Sequence, residues 1–302
     1  MTKEKIVVFG AAGRFNQILV PRLIEEGFTV RTFDPAAMNY DCECIQASTA
    51  DYLAVERATK GMDIAINAAG LHYLPRGTDH PENYEAYWET NYVGTHHVFL
   101  AAIRMGVRKV IFSSSLCYYD WTKPGIVDED WPAARPAPSI YDLSKVVGED
   151  MARFYVSGHG LEVIALRYGN FCGDPEPGFD FLHSRLRRDD SAQANYLCIR
   201  HQPESGFEAF NVVAGCPFQP ADLEGLLKSP MDVLDTYYPG LKAFLKEKNL
   251  TWEGQQGYVS IEKAKSRLGF GPKFTFETYL EKIGFLPLRR PPACSLQCPP
   301  LE

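Results

Sequence analysis

No stretch of this sequence stays apolar for the roughly 18–20 residues that a membrane-spanning helix needs. A strand-like run, Lys5-Ile6-Val7-Val8-Phe9, begins almost at once and leaves no room for a cleavable leader, so the reading is a soluble, cytoplasmic protein. Charge of one sign is also scarce. With 31 basic against 38 acidic side chains and a formal net charge of −7, nothing draws the chain to nucleic acid or to an anionic membrane. The eight cysteines are too few and too scattered for a disulfide scaffold. Cys42 and Cys44, and Cys294 and Cys298, form close pairs, but neither has a second Cys or His pair at zinc spacing. The expectation is reduced thiols and no metal. What is present is ordinary for a globular chain, 45% hydrophobic and 23% charged, which excludes disorder and fibres.

Short apolar runs alternate with helical patterns along the first half. Strand Ile6–Phe9 ends in Gly10, a helix runs from Phe15 to Glu26, and strand Phe28–Phe33 closes at Asp34-Pro35. Further helices are expected at Tyr52–Lys60, Tyr84–Met105 and Tyr141–Ser157, with strands at Asp63–Ala68, Lys109–Ser113 and Glu162–Leu166. Such alternation predicts an α/β fold, a Rossmann-like doubly wound parallel sheet. Past Gly169 the character changes: a turn-rich break at Gly173–Gly178, a strand near Ala209–Val213, then short helical pieces to about Ile283. The expected division is a dinucleotide-binding domain over residues 1–170, a smaller substrate lobe over 171–286 interleaved with it, and a proline-rich flexible tail over 287–302.

Gly10-Ala11-Ala12-Gly13-Arg14-Phe15-Asn16 lies between the first strand and the first helix. Glycines there permit a tight turn and bring backbone N–H groups against a pyrophosphate at the helix N-terminus. Asp34 stands about 20 residues on, at the end of the second strand, where a carboxylate binds the adenosine ribose hydroxyls and repels a 2′-phosphate. That favours NAD over NADP, with Arg14 and Arg31 acting the other way. A cap or turn before Pro35 is the ordinary structural alternative for Asp34. In the helix begun by Tyr141-Asp142-Leu143-Ser144-Lys145, Tyr141 and Lys145 share a face at i and i+4. A lysine ammonium one turn away lowers a phenol toward use as acid or base. Strand Lys109–Phe112 runs into Ser113-Ser114-Ser115, whose hydroxyls can donate to a substrate oxygen.

Taken in order, Gly10–Asn16, Asn67–Gly70, Asn91–Thr95, Ser113–Ser115, Tyr141–Lys145 and Leu166–Asn170 resemble the motif set of the extended short-chain dehydrogenase/reductase superfamily, in its NAD-dependent epimerase/dehydratase branch. The resemblance spans about residues 5–283. It implies NAD as cofactor, held by Gly10, Ala12, Gly13, Arg14 and Phe15 of the loop, by Asp34, and along Ala68, Ala69 and Gly70. Asn91 would brace the site and Tyr168 would lie near the nicotinamide. Tyr141 would be the general acid/base, Lys145 its activator and a ligand of the nicotinamide ribose, Ser115 the group that orients the reacting oxygen, and Asn170 would face the substrate. A homodimer through the helices Tyr84–Met105 and Tyr141–Ser157 is also implied.

Three positions depart from the pattern. Asn16 replaces the third glycine of the loop, so helix and strand are expected to pack less closely there or the backbone to shift. Ser48 stands where the family has an Asp that meets the adenine. Only some twenty residues separate Asn170 from the helix near Asp190, where nucleotide-sugar enzymes carry a longer insertion. Leu116 and Cys117 occupy the places of the Asp-Glu pair that sugar-nucleotide dehydratases use, which argues against dehydration. An epimerase of a nucleotide sugar and a dehydrogenase of a free sugar or uronic acid stay open. The short segment resembles uronate dehydrogenases, whereas Val259–Phe270 resembles nucleotide-sugar epimerases. Arg185, Arg187 and Arg188 are either ligands of a diphosphate or a solvated helix face. A non-catalytic dinucleotide sensor is the reading from another class, set against the retention of Tyr141, Lys145 and Ser115. His72, two residues after Gly70, either reaches the pyrophosphate or the substrate or is an ordinary loop histidine, and Cys117 lines the same pocket in a packing role, with nothing nearby to activate its thiol.

Overall fold

In the computed structural model, which describes residues 4–72, 74–172 and 178–286, the chain winds seven parallel strands into one sheet. Strand β1 (Lys5–Phe9) feeds helix α1 (Asn16–Glu25), followed by β2 (Thr29–Asp34) and β3 (Glu43–Gln46). Helix α2 (Tyr52–Thr59) leads to β4 (Ile64–Asn67), and short helix α3 (Tyr84–Tyr87) continues through a wider π turn at Trp88–Val93 into α4 (Gly94–Met105). Then come β5 (Lys109–Ser115), β6 (Gly125–Val127), the long helix α5 (Ile140–His159) and β7 (Glu162–Tyr168). Two short strands, β8 (Asn170–Cys172) and β9 (Arg185–Arg187), pair with each other before α6 (Arg188–Arg200) and β10 (Phe207–Val212). Small helices α7 (Leu223–Lys228), α8 (Pro230–Tyr237) and α9 (Leu241–Glu247), strand β11 (Gly257–Val259) and α10 (Phe276–Lys282) complete the described chain.

The sheet order is β10-β7-β5-β4-β1-β2-β3. Its winding reverses between β1 and β4, and in open α/β sheets ligands bind outside the carboxyl ends of the strands at that point. The inner strands are apolar on both faces because helices cover both. Ile6, Val8, Ile64, Ile66 and Ile164 pack on one side, Val7, Phe9, Ala65, Val110 and Val163 on the other. Phe181, Phe218, Leu226, Leu234, Leu241 and Leu280 form a separate core under the later helices. No described helix is long and apolar enough to cross a membrane.

The expected alternation is present, with three differences. Strand β3 went unread because its pattern is exposed along an edge; an Arg31–Glu43 ion pair at 2.7 Å stands there instead of an apolar run. The expected helix over Tyr84–Met105 contains the π turn. Arg185 and Arg187 lie on a strand, not on a helix face: Arg185 donates to Asp180 at 3.1 Å, and the Arg187 guanidinium stacks over Phe274 at 4.9 Å. The expected tail, the Cys294/Cys298 pair and nearly all of the turn-rich break lie outside the described residues.

At the amino edge of the sheet, Lys109 is 1% exposed. Its ammonium donates to the carbonyls of Cys198 (3.3 Å) and Ile199 (3.0 Å) and to that of His201, so a positive charge closes the carbonyl end of α6.

Candidate active site

The turn after β1 is dictated by how close two strand ends must come. Gly10 has φ +76°, and a Cβ there would lie 2.6 Å from the backbone of Ala68. A side chain at that position is therefore excluded twice, by conformation and by space. The Gly10 and Ala11 N–H groups donate to the Phe33 carbonyl at 2.9 and 3.3 Å, and the Ala68 N–H donates to Phe9 at 3.0 Å. This draws the ends of β1, β2 and β4 into one groove. A cleft of about 210 Å³ follows, lined by Gly10, Gly13, Asp34, Ala68, Ala69 and Gly70, with Ser48 on its wall.

Asp34 is engaged on both oxygens, by the N–H groups of Ala12 (3.1 Å) and Ala36 (2.9 Å). It thus holds the loop and faces the cleft at once. Asn16, at the third glycine position, is fully buried and its amide donates to the Gly10 carbonyl at 2.9 Å. The bulkier residue is accommodated by bonding the turn it was expected to disturb. Tyr40 was not foreseen: its hydroxyl donates to the Ala11 carbonyl at 3.0 Å and pins the loop from the β2–β3 side.

A second cavity of about 280 Å³ opens beside the cleft, and the two share Gly13, Ala68 and Gly70. Arg14, Phe15, Ser115, Tyr141, Lys145, Tyr168 and Asn170 line it, drawn from the turn after β1, the ends of β5 and β7, helix α5 and the start of β8. The strands supply Ser115 and Tyr168, which face each other in the β5–β7 register, and α5 supplies Tyr141 and Lys145 one turn apart. Asn91 lines neither space. Its amide oxygen accepts from Leu71 N–H at 2.7 Å, and its amide nitrogen donates to Leu71 O (2.9 Å) and Ser144 Oγ (3.2 Å), tying the loop after β4 to α5. The π turn aims Asn91 inward, a distortion that residue periodicity does not reveal.

Ser115, Tyr141 and Lys145 are 8, 9 and 7% exposed. The Lys145 ammonium donates to the Ser113 carbonyl at 2.9 Å. Burial lowers its pKa to about 8, against the opposing pull of Cys117 and Glu149. Burial likewise pushes the Tyr141 phenol above its ordinary value, with the Ser115 hydroxyl acting the other way. The expected lowering of Tyr141 by Lys145 is therefore overridden by desolvation in the protein alone. His72, which no motif placed, packs its ring 4.5 Å from that of Tyr141, and burial lowers its pKa. Cys117 has its thiol raised to about 11 by burial and is no nucleophile. Phe171 joins Phe15 and Tyr168 in an aromatic wall with ring centres 5.4–5.7 Å apart.

The groove fits a dinucleotide on two structural grounds. Gly10 and Gly13 form a cradle, since a Cβ at Gly13 would stand 2.9 Å from the Gly10 carbonyl oxygen. Just before Ala68, at the end of β4, Asn67 is 1% exposed, and neither end of its carboxamide has a hydrogen-bond partner among the described residues. Among those residues no group of three or more His, Cys, Asp or Glu stands close enough to hold a metal ion.

A model of the NAD dependent epimerase/dehydratase family matches residues 6–211. The uronate dehydrogenase of Pseudomonas putida is 32% identical over 197 residues, 63% of this chain and 69% of that protein. The UDP-glucose 4-epimerase of Halalkalibacterium halodurans is 24% identical over 289 residues, covering 92% of this chain and 80% of that protein. Among solved structures, a short-chain dehydrogenase/reductase superfamily protein from Agrobacterium tumefaciens with bound NAD superposes with a TM-score of 0.69 at 22% identity, over 92% of this chain and 95% of that one. At that identity the likeness speaks for the fold.

Proposed function

The chain belongs to the NAD-dependent epimerase/dehydratase family, a group of NAD-dependent sugar and nucleotide-sugar oxidoreductases and epimerases, and on that premise we propose that it is an NAD-dependent dehydrogenase of a free sugar or uronic acid working through Tyr141, Lys145 and Ser115. The observation that carries this reading is the convergence of those three side chains with Tyr168 and Asn170 on one small cavity that adjoins the Gly10–Asp34 cleft. The uronate dehydrogenase likeness and the short segment after Asn170 favour a small substrate.

NAD, when bound, supplies the hydride acceptor. Gly10, Ala12, Gly13, Arg14 and Phe15 would hold its pyrophosphate side, Asp34 its adenosine ribose, Ala68, Ala69 and Gly70 its length, and Tyr168 the nicotinamide end. Ser115 holds the substrate hydroxyl, and Tyr141 takes that hydroxyl's proton as the carbon gives up its hydride. Lys145 would hold the nicotinamide ribose and, as an ammonium, would stabilise the Tyr141 phenolate that the step requires. Asn170 faces the substrate and Asn91 braces the wall between α5 and the loop after β4.

A second reading, epimerisation of a nucleotide sugar, draws on the likeness to UDP-glucose 4-epimerase across 92% of the chain. Our reading includes a cytoplasmic homodimer, and exposed Trp88, Leu143 and Phe154 on the helices around α4 and α5 support that assembly. Residues 171–286 are assigned to the substrate side. The test is NADH production with uronic acids and free aldoses, beside NAD released on denaturation. Turnover with exchangeable NAD is expected. Tightly retained NAD with no net NADH would replace the dehydrogenase by the epimerase.

A further inference from the structure

Beside the site, reached through Ser114 on the cavity wall, lies a buried network that the reaction just described does not use. Glu149 is fully buried on α5, one turn beyond Lys145. Its carboxylate accepts a fork of two hydrogen bonds from Arg167 (Nε to Oε1 at 2.8 Å, Nη2 to Oε2 at 2.7 Å), one from Ser114 Oγ at 2.7 Å and one from Arg153 at 3.2 Å. Arg167 is 1% exposed and also donates to the Tyr119 hydroxyl (2.7 Å) and the Glu129 carbonyl (2.8 Å). Every donor to Glu149 that comes from the sheet sits beside a residue of the site: Ser114 between Ser113 and Ser115, Arg167 before Tyr168.

We propose that Glu149, clamped by Arg167 and Ser114, is a positioning residue that sets the register of α5 against β5 and β7 and so holds Lys145 on Ser113 and opposite Ser115. The inference rests on the roles given above to Lys145 and Ser115. A surface ion pair would be worth little and would drift. A buried fork with all its oxygens engaged has one arrangement, because displacing either partner strands a charge away from water. A helix slid by one position would break all the contacts together.

The same carboxylate acts on Lys145 through space, favouring the ammonium that burial disfavours. The other groups facing Lys145 are Tyr141 on its own helix, Cys117 from the turn after β5 and His72 from the loop after β4. None of them supplies a fixed negative charge, since burial holds both the thiol and the phenol above their ordinary values. Of the nearby carboxylates, Glu149 is the one that acts on Lys145, while Asp142 acts on His72, Cys117 and Tyr141.

The experiment compares wild type with Glu149→Gln, Arg167→Lys and Ser114→Ala. It reads kcat and KM against pH with a uronic acid and NAD, and the titration of Lys145 by NMR of nitrogen-labelled lysine, assigned with Lys145→Met. Glu149→Gln is expected to move the Lys145 titration and the alkaline limb of kcat down by about one pH unit. Arg167→Lys, which keeps the charge and loses the fork, is expected to lower kcat several-fold without moving that limb. Ser114→Ala removes one hydroxyl and decides the question if Glu149→Gln does not fold; a several-fold fall in kcat at unchanged KM for NAD is expected. An unmoved Lys145 titration in folded Glu149→Gln, or wild-type kcat in Ser114→Ala, overturns the proposal. A Tyr141→Phe protein that still turns over would instead overturn the assignment of the site, whatever the Lys145 titration shows.

Discussion

Two buried polar regions lie side by side at the carboxyl edge of the sheet, and they treat their hydrogen bonds in opposite ways. Around the groove, at the end of β4 and the start of α1, Asn67 has no partner at either end of its amide and Asn16 has none on its oxygen, among the described residues. A few ångströms behind, around Glu149 and Arg167, the carboxylate and the guanidinium are met at every nitrogen and oxygen. Leaving a buried polar atom unpaired costs about 1–3 kcal/mol, so it persists where something else completes it. Saturated groups, by contrast, have no capacity left for a ligand and serve to hold a shape. The difference separates what waits for a cofactor from what keeps the waiting geometry in place.

The largest effect should come from the chemical group between the two regions. Tyr141→Phe removes the transferable proton and little else, so turnover is expected to fall by about 10²–10⁴-fold while NAD affinity, measured by calorimetry, holds. Next in size is a break in the saturated region: Glu149→Ala strands the Arg167 charge and should cost about 3–5 kcal/mol in denaturant unfolding. The matching change on the open side, Asn67→Ala, is expected to leave the stability of the NAD-free protein intact and to shrink the rise in Tm that NAD produces. Equal losses of stability from Asn67→Ala and Glu149→Ala would dissolve the comparison. The smallest effect is one of pH. Lys145 is lowered to about 8 when folded, against an ordinary value near 10.5 when unfolded, so between those limits the unfolded chain binds more protons. Stability should therefore gain a positive contribution as pH rises through that window, and Lys145→Met should remove it.

Much of the first region was readable in the chain, and little of the second. Gly10, Gly13 and Asp34 announce themselves because backbone conformation and close approach admit few residue types, and Tyr141 and Lys145 because a helix puts i and i+4 together. Arg167 sat inside a recognised stretch, Leu166–Asn170, yet nothing local says that its partner is Glu149, eighteen positions earlier on a different element. Tyr40 and His72 reach the site from loops, where no periodicity guides the eye. The strand β3 lacks the apolar run that marks its neighbours because an edge strand has one side to bury at most. Asn16 was read as a flaw in the turn from its size alone; its hydrogen bond to Gly10 depends on a rotamer that spacing does not specify.

Lys109 carries a consequence for how the protein is made. Its ammonium sits on the inner strand β5, but its acceptors are carbonyls of Cys198, Ile199 and His201, some ninety residues further along. During synthesis the ribosome releases β5 well before those acceptors exist, and until they emerge a charged lysine has no place in the interior. The sheet must stay unfinished at that edge, its lysine in water, until α6 arrives to close over it. A nascent chain arrested near residue 170 lacks every one of those acceptors, and one extended past β10 has them all.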